Sequence, residues 1–509
     1  MRVRLCRVKQ KVTIWKQSGC AALFPRWTRR GRKYARHGMK TKGLTPQTRI
    51  GCAPRGKRVP AAERERMILA EAIRFFAEEG FDGQLRVLAS RIGMTHSVLF
   101  RHFPSKDMLI GRVYREVFLS RWQPQWTVLL RDRSIGLEAR LLHFYREYTA
   151  AIFQYEWVRI FMFAGLRGVQ INAPYLALLR ENVLLPICAE LRAACGLPDP
   201  AARPLSDEEV ELAWGLHGRI FYLAIRKFVY GMAIPSDMDR SLRDAIAVFL
   251  VGAAAISQPP GHLAGGALPP GRVADAVMPL PRERPAPTAS TAVPHRRRMR
   301  PELRERFIVD EAIRFFAEHG TDGQLRELAR RLGVTHPLLY RYFPTKEALI
   351  ERVYQELYLG RWKLEWDIML RDKSRPFRER LTVFYVDYVA TINSYEWTRI
   401  FIFAGLRGVG ICQRYLAMVQ QRVIEPIAAE LRTLAARQPA EGQPLTEHER
   451  ELAWGLHGQI FYLAVRRWVY DMPVPGKLDR VIEAAIADLL DGAVKAMRLV
   501  TPGPAGATE

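Results

Sequence analysis

The sequence predicts an all-α protein made of two tandem copies of one fold. Apolar residues recur with a helical period of about 3.6 and show almost no strand-like alternation. A stretch of about 190 residues repeats without a gap at a constant offset of 240. Between the copies, residues 258–300 are rich in Pro, Gly and Ala, lack that period and read as a semi-flexible linker.

The repeat is explicit. Glu71–Glu78 (EAIRFFAE) returns as Glu311–Glu318, Ile160–Val169 (IFMFAGLRGV) as Ile400–Val409 (IFIFAGLRGV), and Glu211–Gly218 (ELAWGLHG) unchanged as Glu451–Gly458. Residues 62–110 and 302–350 share 31 of 49 positions. A period of 240 is far beyond the roughly 20–50 residues of a solenoid, so each copy is a whole fold. The expected order is a basic extension (1–58), a head (59–115) and a helical domain (116–257). After the linker come a second head (301–355), a second helical domain (356–498) and a tail (499–509).

At 509 residues the chain is long enough for three or four domains of roughly 100–200 residues. Its net charge of +26 is concentrated: residues 1–60 hold 18 Lys/Arg and no acid, leaving +8 for the rest. Such a block attracts any polyanion without sequence preference. The acid-free start also resembles an organelle transit peptide, but we favour a true start at Met39 or later. Six scattered cysteines (Cys6, Cys20, Cys52, Cys188, Cys195 and Cys412) form no C-x-x-C pair, which argues against a disulfide framework or zinc site and fits a reducing cytoplasm. The longest apolar run, Ala245–Ile256, is 12 residues, too short to span a bilayer, and no membrane partner is expected.

Within each head the elements follow in order. Ile68, Ala72, Phe75 and Phe76 give the first helix one apolar face, matched by Ile308, Ala312, Phe315 and Phe316, and Gly80 and Gly320 supply the left-handed stop. Leu85, Leu88, Ala89 and Ile92 define a short second helix, Gly93 suits the tight turn, and Thr95 is placed to cap a third helix. On that third helix Val98, Leu99 and His102 point inward. His96, Ser97, Phe100 and Arg101 point outward, as do His336, Pro337, Tyr340 and Arg341 in copy 2, after Thr335. A short helix presenting His, Arg and an aromatic suits the major groove. Ser105 and Thr345 can cap a fourth helix, and Lys106 and Lys346 in its first turn oppose the helix dipole, which suits a DNA phosphate instead.

The doubled pattern G-x-D-G…LA…G-x-T-x-x-x-L-[FY]-R-x-F-P-x-K-x-x-L-I, with helix-turn-helix segments at about 84–103 and 324–343, resembles the N-terminal signature of the TetR family of bacterial repressors. The resemblance implies a three-helix DNA-binding head and a helical domain that dimerises and usually binds a small effector. It assigns Tyr340, Lys346 and Lys106 to phosphate and His96 and His336 to the groove. The second helix starts one residue short of the family pattern, so Gln84 and Gln324 stand in for its Thr/Ser phosphate contact. Phe100 replaces the usual Tyr, which predicts weaker binding or a different half-site for head 1.

In the helical domains Trp157, Phe161 and Arg167, with Trp397, Phe401 and Arg407, could line an apolar effector pocket with a polar anchor; ordinary core is the alternative for the aromatics. A later helix, about Ser206 to Tyr230, carries Trp214, His217, Gly218, Phe221 and Ile225 on one stripe, followed by a helix from about Met238 to Ala255. The resemblance implies a four-helix bundle with a partner subunit there. The dimer-type interface is therefore expected at Trp214, Gly218 and Phe221 with Trp454, Gly458 and Phe461. His217 and His457 read as buried, hydrogen-bonded residues, and no cluster has metal spacing. Internal pairing of the copies is the simplest assembly, since about 43 linker residues have an r.m.s. span near 35–40 Å. Further pairing of chains stays open. Two heads about 34–36 Å apart would meet successive turns of double-stranded DNA, at an imperfect palindrome.

The expected function is a sequence-specific transcriptional regulator of the bacterial cytoplasm and nucleoid, a repressor answering to an unidentified small molecule. An interaction protein with degenerated heads is the alternative. No P-loop, G-x-G-x-x-G, H-E-x-x-H or G-x-S-x-G supports an enzyme, so no catalytic residue, cofactor or metal is assigned.

Overall fold

The computed structural model of the chain describes residues 60–168, 172–256, 300–435 and 443–498. The basic extension, the linker up to residue 299 and the 499–509 tail lie outside them, as do Cys6, Cys20, Cys52 and Val169.

Every regular element among the described residues is a helix. In copy 1 the head contains α1 (Ala61–Glu79), α2 (Leu85–Arg91), α3 (His96–His102) and α4 (Lys106–Tyr114). Its body contains α5 (Gln125–Arg131), α6 (Leu137–Ile152), α7 (Tyr155–Leu166), α8 (Asn172–Leu179), α9 (Leu185–Ala194), α10 (Asp207–Phe228) and α11 (Met238–Ile256). Copy 2 repeats the head as α12 (Pro301–His319), α13 (Leu325–Arg331), α14 (His336–Tyr342) and α15 (Lys346–Tyr354). Its body is α16 (Leu364–Arg371), α17 (Phe377–Ile392), α18 (Tyr395–Leu406), α19 (Ile411–Val419), α20 (Glu425–Ala435), α21 (Glu447–Trp468) and α22 (Leu478–Arg498).

Local chemistry sets the ends. Gly80 stops α1 at φ 66°, and its N–H bonds Phe76 O. A Cβ there would also approach Phe163 Cδ1 to 2.8 Å, so both backbone angle and packing select glycine. The Ser105 hydroxyl accepts from Met108 N (3.1 Å) and caps α4. Ser206 with Glu209, and Thr446 with Glu449, form capping boxes at the starts of α10 and α21. The expected boundary at 115/116 falls inside continuous helix, because α4 runs into a π-helical turn at Arg115–Leu119; α15 does the same at Gln355–Leu359. Helical backbone therefore carries each head into its body.

The core joins head to body. Ile68, Phe75 and Phe76 of α1 are buried with Leu85, Leu88 and Leu99, and α1 packs on α7 as α12 packs on α18. The two copies meet through their last two long helices, α10 against α21 and α11 against α22. Gly218 and Gly458 face tyrosines of the other copy. A Cβ on Gly218 would approach Tyr462 Cδ1 to 2.7 Å, and Gly458 lies against Tyr222 in the same way. Phe221 and Tyr462 have ring centroids 6.0 Å apart, and Tyr222 and Phe461 5.9 Å. Trp214 lies under Arg466 at 4.8 Å and Trp454 under Arg226 at 5.1 Å. Those arginines reach glutamates across the interface: Arg226 pairs with Glu451 (2.5 Å) and Arg466 with Glu211 (2.8 Å). Burial pushes both glutamate pKa values up, opposed by the arginines.

His217 and His457 lie inside this region. Their Nδ1 atoms have no hydrogen-bond partner in the protein, so at that ring nitrogen the expected hydrogen bond is not made. His217 instead stacks on Phe221 (5.8 Å, 11°), and burial holds both imidazoles at a pKa of about 3.

Candidate nucleic-acid interface

The helix-turn-helix is set by its buried side. Leu85, Leu88 and Ala89 anchor α2, and Gly93 turns at φ 71°. Leu99 is the one fully buried residue of α3, flanked by the half-buried Val98, Phe100 and His102, so that helix is held along one edge and shows His96, Ser97 and Arg101 to solvent. Head 2 repeats this with Leu325, Leu328, Ala329, Gly333 (φ 64°) and Leu339.

His96, Ser97 and Arg101 are exposed on α3, and Phe100 is half-buried. On α14 Pro337 and Arg341 are exposed, Tyr340 is 40% exposed and His336 is half-buried. His96 meets Phe100 edge to face at 4.6 Å, and His336 meets Tyr340 at 4.9 Å. The i, i+4 spacing thus fixes the aromatic against the histidine and leaves the adjacent arginine free. Thr95 and Thr335 stand at the N-caps of α3 and α14, but neither side chain accepts a capping hydrogen bond, contrary to expectation. Gln84 and Gln324 occupy the equivalent places before α2 and α13, exposed and likewise without a cap bond.

Lys106 has a structural partner that its position in the sequence hid. Its Nζ donates to Gly83 O at 2.9 Å, tying the α1–α2 turn to α4. Burial lowers its pKa and nearby Asp82 opposes that; Lys346 follows the same pattern with Asp322. An ammonium has three donors, so the Gly83 bond leaves two for another acceptor.

The presumed pocket residues separate. Trp157 stacks on Phe161 at 4.9 Å and Trp397 on Phe401 at 4.9 Å, within packed aromatic clusters that include Phe118, Tyr175 and Phe221 in copy 1. The Nε1 atoms of both tryptophans have no hydrogen-bond partner. Arg167 and Arg407 do not join those rings. Each stands at the C-terminus of its helix and reaches the other copy's head. Arg167 Nη2 donates to His319 O (3.1 Å), and Arg407 to Glu78 O (3.1 Å) and Glu79 O (2.9 Å). Each also pairs with an aspartate of its own head, Arg167 with Asp82 and Arg407 with Asp322 at 2.5 Å. The carbonyl-bearing ends of α1 and α12 attract a cation, which outweighs a place beside apolar rings.

A residue not singled out from sequence does more. Arg159 is 7% exposed, and its guanidinium donates to Ala77 O (2.7 Å) at the end of α1 and Phe228 O (3.2 Å) at the end of α10. It also bonds Leu406 O at the end of the other copy's α18. Arg399 makes the reciprocal bonds to Ala317 O (2.8 Å), Trp468 O (3.2 Å) and Leu166 O. Three negative helix ends converge on each buried cation, joining a head, its body and the opposite copy. Burial lowers the Arg159 pKa, with Tyr155 opposing. The available signal was an arginine at the same place in two largely apolar helices.

Among the described residues no group of three or more His, Cys, Asp or Glu is arranged to hold a metal, and no single helix is long and apolar enough to cross a membrane. Burial pushes the Cys188 thiol up to about 12.

Residues 68–113 and 308–353 match the bacterial regulatory proteins of the tetR family. These ranges contain both helix-turn-helix segments. Among solved structures, one assigned as a TetR-family transcriptional regulator of Mesorhizobium loti MAFF303099 is similar at 19% identity, covering 38% of this chain and 98% of its own, with a TM-score of 0.27. No curated protein matches the sequence.

Proposed function

This chain is a TetR-family DNA-binding transcriptional regulator with two tandem heads, and from that premise we propose that it is a ligand-responsive repressor working as a single-chain pseudo-dimer. The observation carrying this reading is the pairing of α10 with α21 and α11 with α22, which gives one chain two outward recognition helices on one body. α3 and α14 enter successive major grooves of an imperfect palindrome in double-stranded DNA. Arg101 and Arg341 read base edges or phosphate, and His96 with Phe100, and His336 with Tyr340, cover adjoining bases and sugars. Gln84, Gln324, Thr95, Thr335, Ser97, Pro337, Lys106 and Lys346 flank them toward the backbone. The setting is the bacterial cytoplasm.

An unidentified small molecule acts through the aromatic clusters. The unpartnered Trp157 and Trp397 Nε1 donors support a ligand with a hydrogen-bond acceptor there. A shift of α7 or α18 would pull on Arg159 and Arg167, or on Arg399 and Arg407, and so re-aim both heads. The test is a titration of DNA flanking the protein's own gene against scrambled DNA, across a salt series, using the chain trimmed to Val59–Glu509. A strong preference for the flanking DNA with a steep salt slope is expected. Folded protein that binds no DNA, with or without candidate effectors, would overturn the reading.

A further inference from the structure

The contacts between the copies are not interchangeable. Residues separated by 240 that touch each other lie on the pseudo-twofold axis, and Arg219 and Gln459 are such a pair: Arg219 Nη2 donates to Gln459 Oε1 at 3.2 Å. Arg219 is 6% exposed. Burial pulls its pKa down to about 10, which leaves it charged at neutral pH, with Asp488, Glu451 and Asp244 opposing that shift. Of these, only Glu451 has an acidic counterpart, Glu211; the places equivalent to Asp488 and Asp244 hold Val248 and Ala484. Asp488 packs against Gly252, and Val248 against Gly492, where a Cβ would come within 2.5 Å of Val248 Cα. A second unlike pair lies nearby. His448 Nδ1 is 2.8 Å from Asp244 Oδ2, and the equivalent positions hold Glu208 and Ala484.

The alternatives can be read by exchanging equivalents. Copy 1 against copy 1 would put two buried arginines face to face without Asp488, and would set Asp244 against Glu208 twice. Copy 2 against copy 2 would leave two Asp488 side chains buried with no Arg219 beside them. Buried charge with less compensation is unfavourable, and like charges brought together add to it. The pairs Arg226–Glu451 and Arg466–Glu211 are equivalent by the repeat and favour no arrangement.

We infer that the paired-helix surface of each copy is specific for the other copy, so that a like–like pair is disfavoured and every DNA-bearing assembly presents one head of each kind. This rests on the single-chain pseudo-dimer proposed above. It makes the two half-sites obligately different, and it lets a second chain pair only by exchanging copy 1 for copy 2.

The test is made in the full chain. Gln459→Arg builds the copy 1-like arrangement at the axis, and Gln459→Met adds bulk without charge. Gln459→Arg is expected to lower the thermal midpoint by roughly 5–10 °C more than Gln459→Met. The double variant Gln459→Arg/Val248→Asp, which gives the second arginine the acid that Asp488 supplies to Arg219, is expected to recover at least half of that loss. Equal midpoints for Gln459→Arg and Gln459→Met, or a double variant no better than Gln459→Arg, would overturn the inference. Cutting the linker with a protease at an inserted site separates this from the underlying reading. Halves that elute together while the substitutions are equal contradict only the pairing rule. Halves that elute apart contradict internal pairing and the rule with it.

Discussion

The heads and the paired helices have diverged between the copies in different ways. In the heads, much of the scaffold is the same in both copies (Leu85 and Leu325, Ala89 and Ala329, Gly93 and Gly333, Lys106 and Lys346), and differences such as Ser97 against Pro337 fall on the outward side of α3 and α14. In the paired helices, two of the differences face other differences, Arg219 meeting Gln459 and Asp244 meeting His448, while Asp488 and Val248 each face a glycine. A residue facing solvent changes alone, whereas one facing the other copy is constrained by its partner's charge and volume. Several differences in the heads therefore face solvent, whereas those in the bundle lie where copy meets copy.

Substitutions can break or sharpen this contrast. The largest effect is expected at the junction of the two regions. Arg159→Met leaves three buried carbonyls without their donor and should cost about 3–5 kcal/mol in a denaturant melt. Arg399→Met should cost a similar amount, because its bonds are reciprocal; a cost confined to one copy would break the symmetry of the junction. Next, the buried histidines test the bundle through pH. Their folded pKa of about 3 lies below the unfolded value of about 6.5, so below pH 6.5 the unfolded chain binds more protons. Their contribution is complete above pH 6.5 and is lost as the pH falls toward 3, about 2 kcal/mol per imidazole at pH 5. Asp488, raised to about 7 by burial, works in the opposite direction over this range, since its contribution falls as pH rises. Comparing the wild type with His217→Gln/His457→Gln isolates the histidines: the double variant should show a flatter acid limb, and an unchanged limb would contradict their neutrality.

In the heads, Arg101→Ala and Arg341→Ala should each weaken operator binding by roughly 10- to 100-fold, each sparing discrimination at the other half-site. Equal loss of discrimination at both half-sites would contradict separate reading. The smallest change is Phe100→Tyr, which adds the hydroxyl that Tyr340 already has. It should tighten binding about 2- to 5-fold, and tighter binding would mark head 1 as a working reader rather than a degenerate one.

The sequence showed most clearly what depends on local periodicity. The helix expected from about Ser206 to Tyr230 is α10, Asp207–Phe228, and the left-handed glycines at 80, 93, 320 and 333 fall where the turns required them. The candidate site was less legible, because its partners lie elsewhere in the chain. Arg167 and Arg159 bond backbone carbonyls at distant helix ends, and a carbonyl carries no residue-specific mark in the sequence. Lys106 was similarly hidden behind Gly83 O. Tyr222 and Tyr462 lie on the stripe that carries Gly218 and Gly458, yet only the packing of α10 on α21 shows that each tyrosine fills the other copy's glycine notch. The copy-to-copy comparison held a further signal, since an arginine repeated within an apolar helix needs a buried acceptor.

The single-chain pseudo-dimer is most directly tested by the mass of the Val59–Glu509 chain bound to the operator, measured together with the protected length of DNA. One chain protecting two unlike half-sites, each on a successive turn, is the predicted result. Two or more chains on that site, or one chain protecting a single half-site, would contradict the single-chain pseudo-dimer.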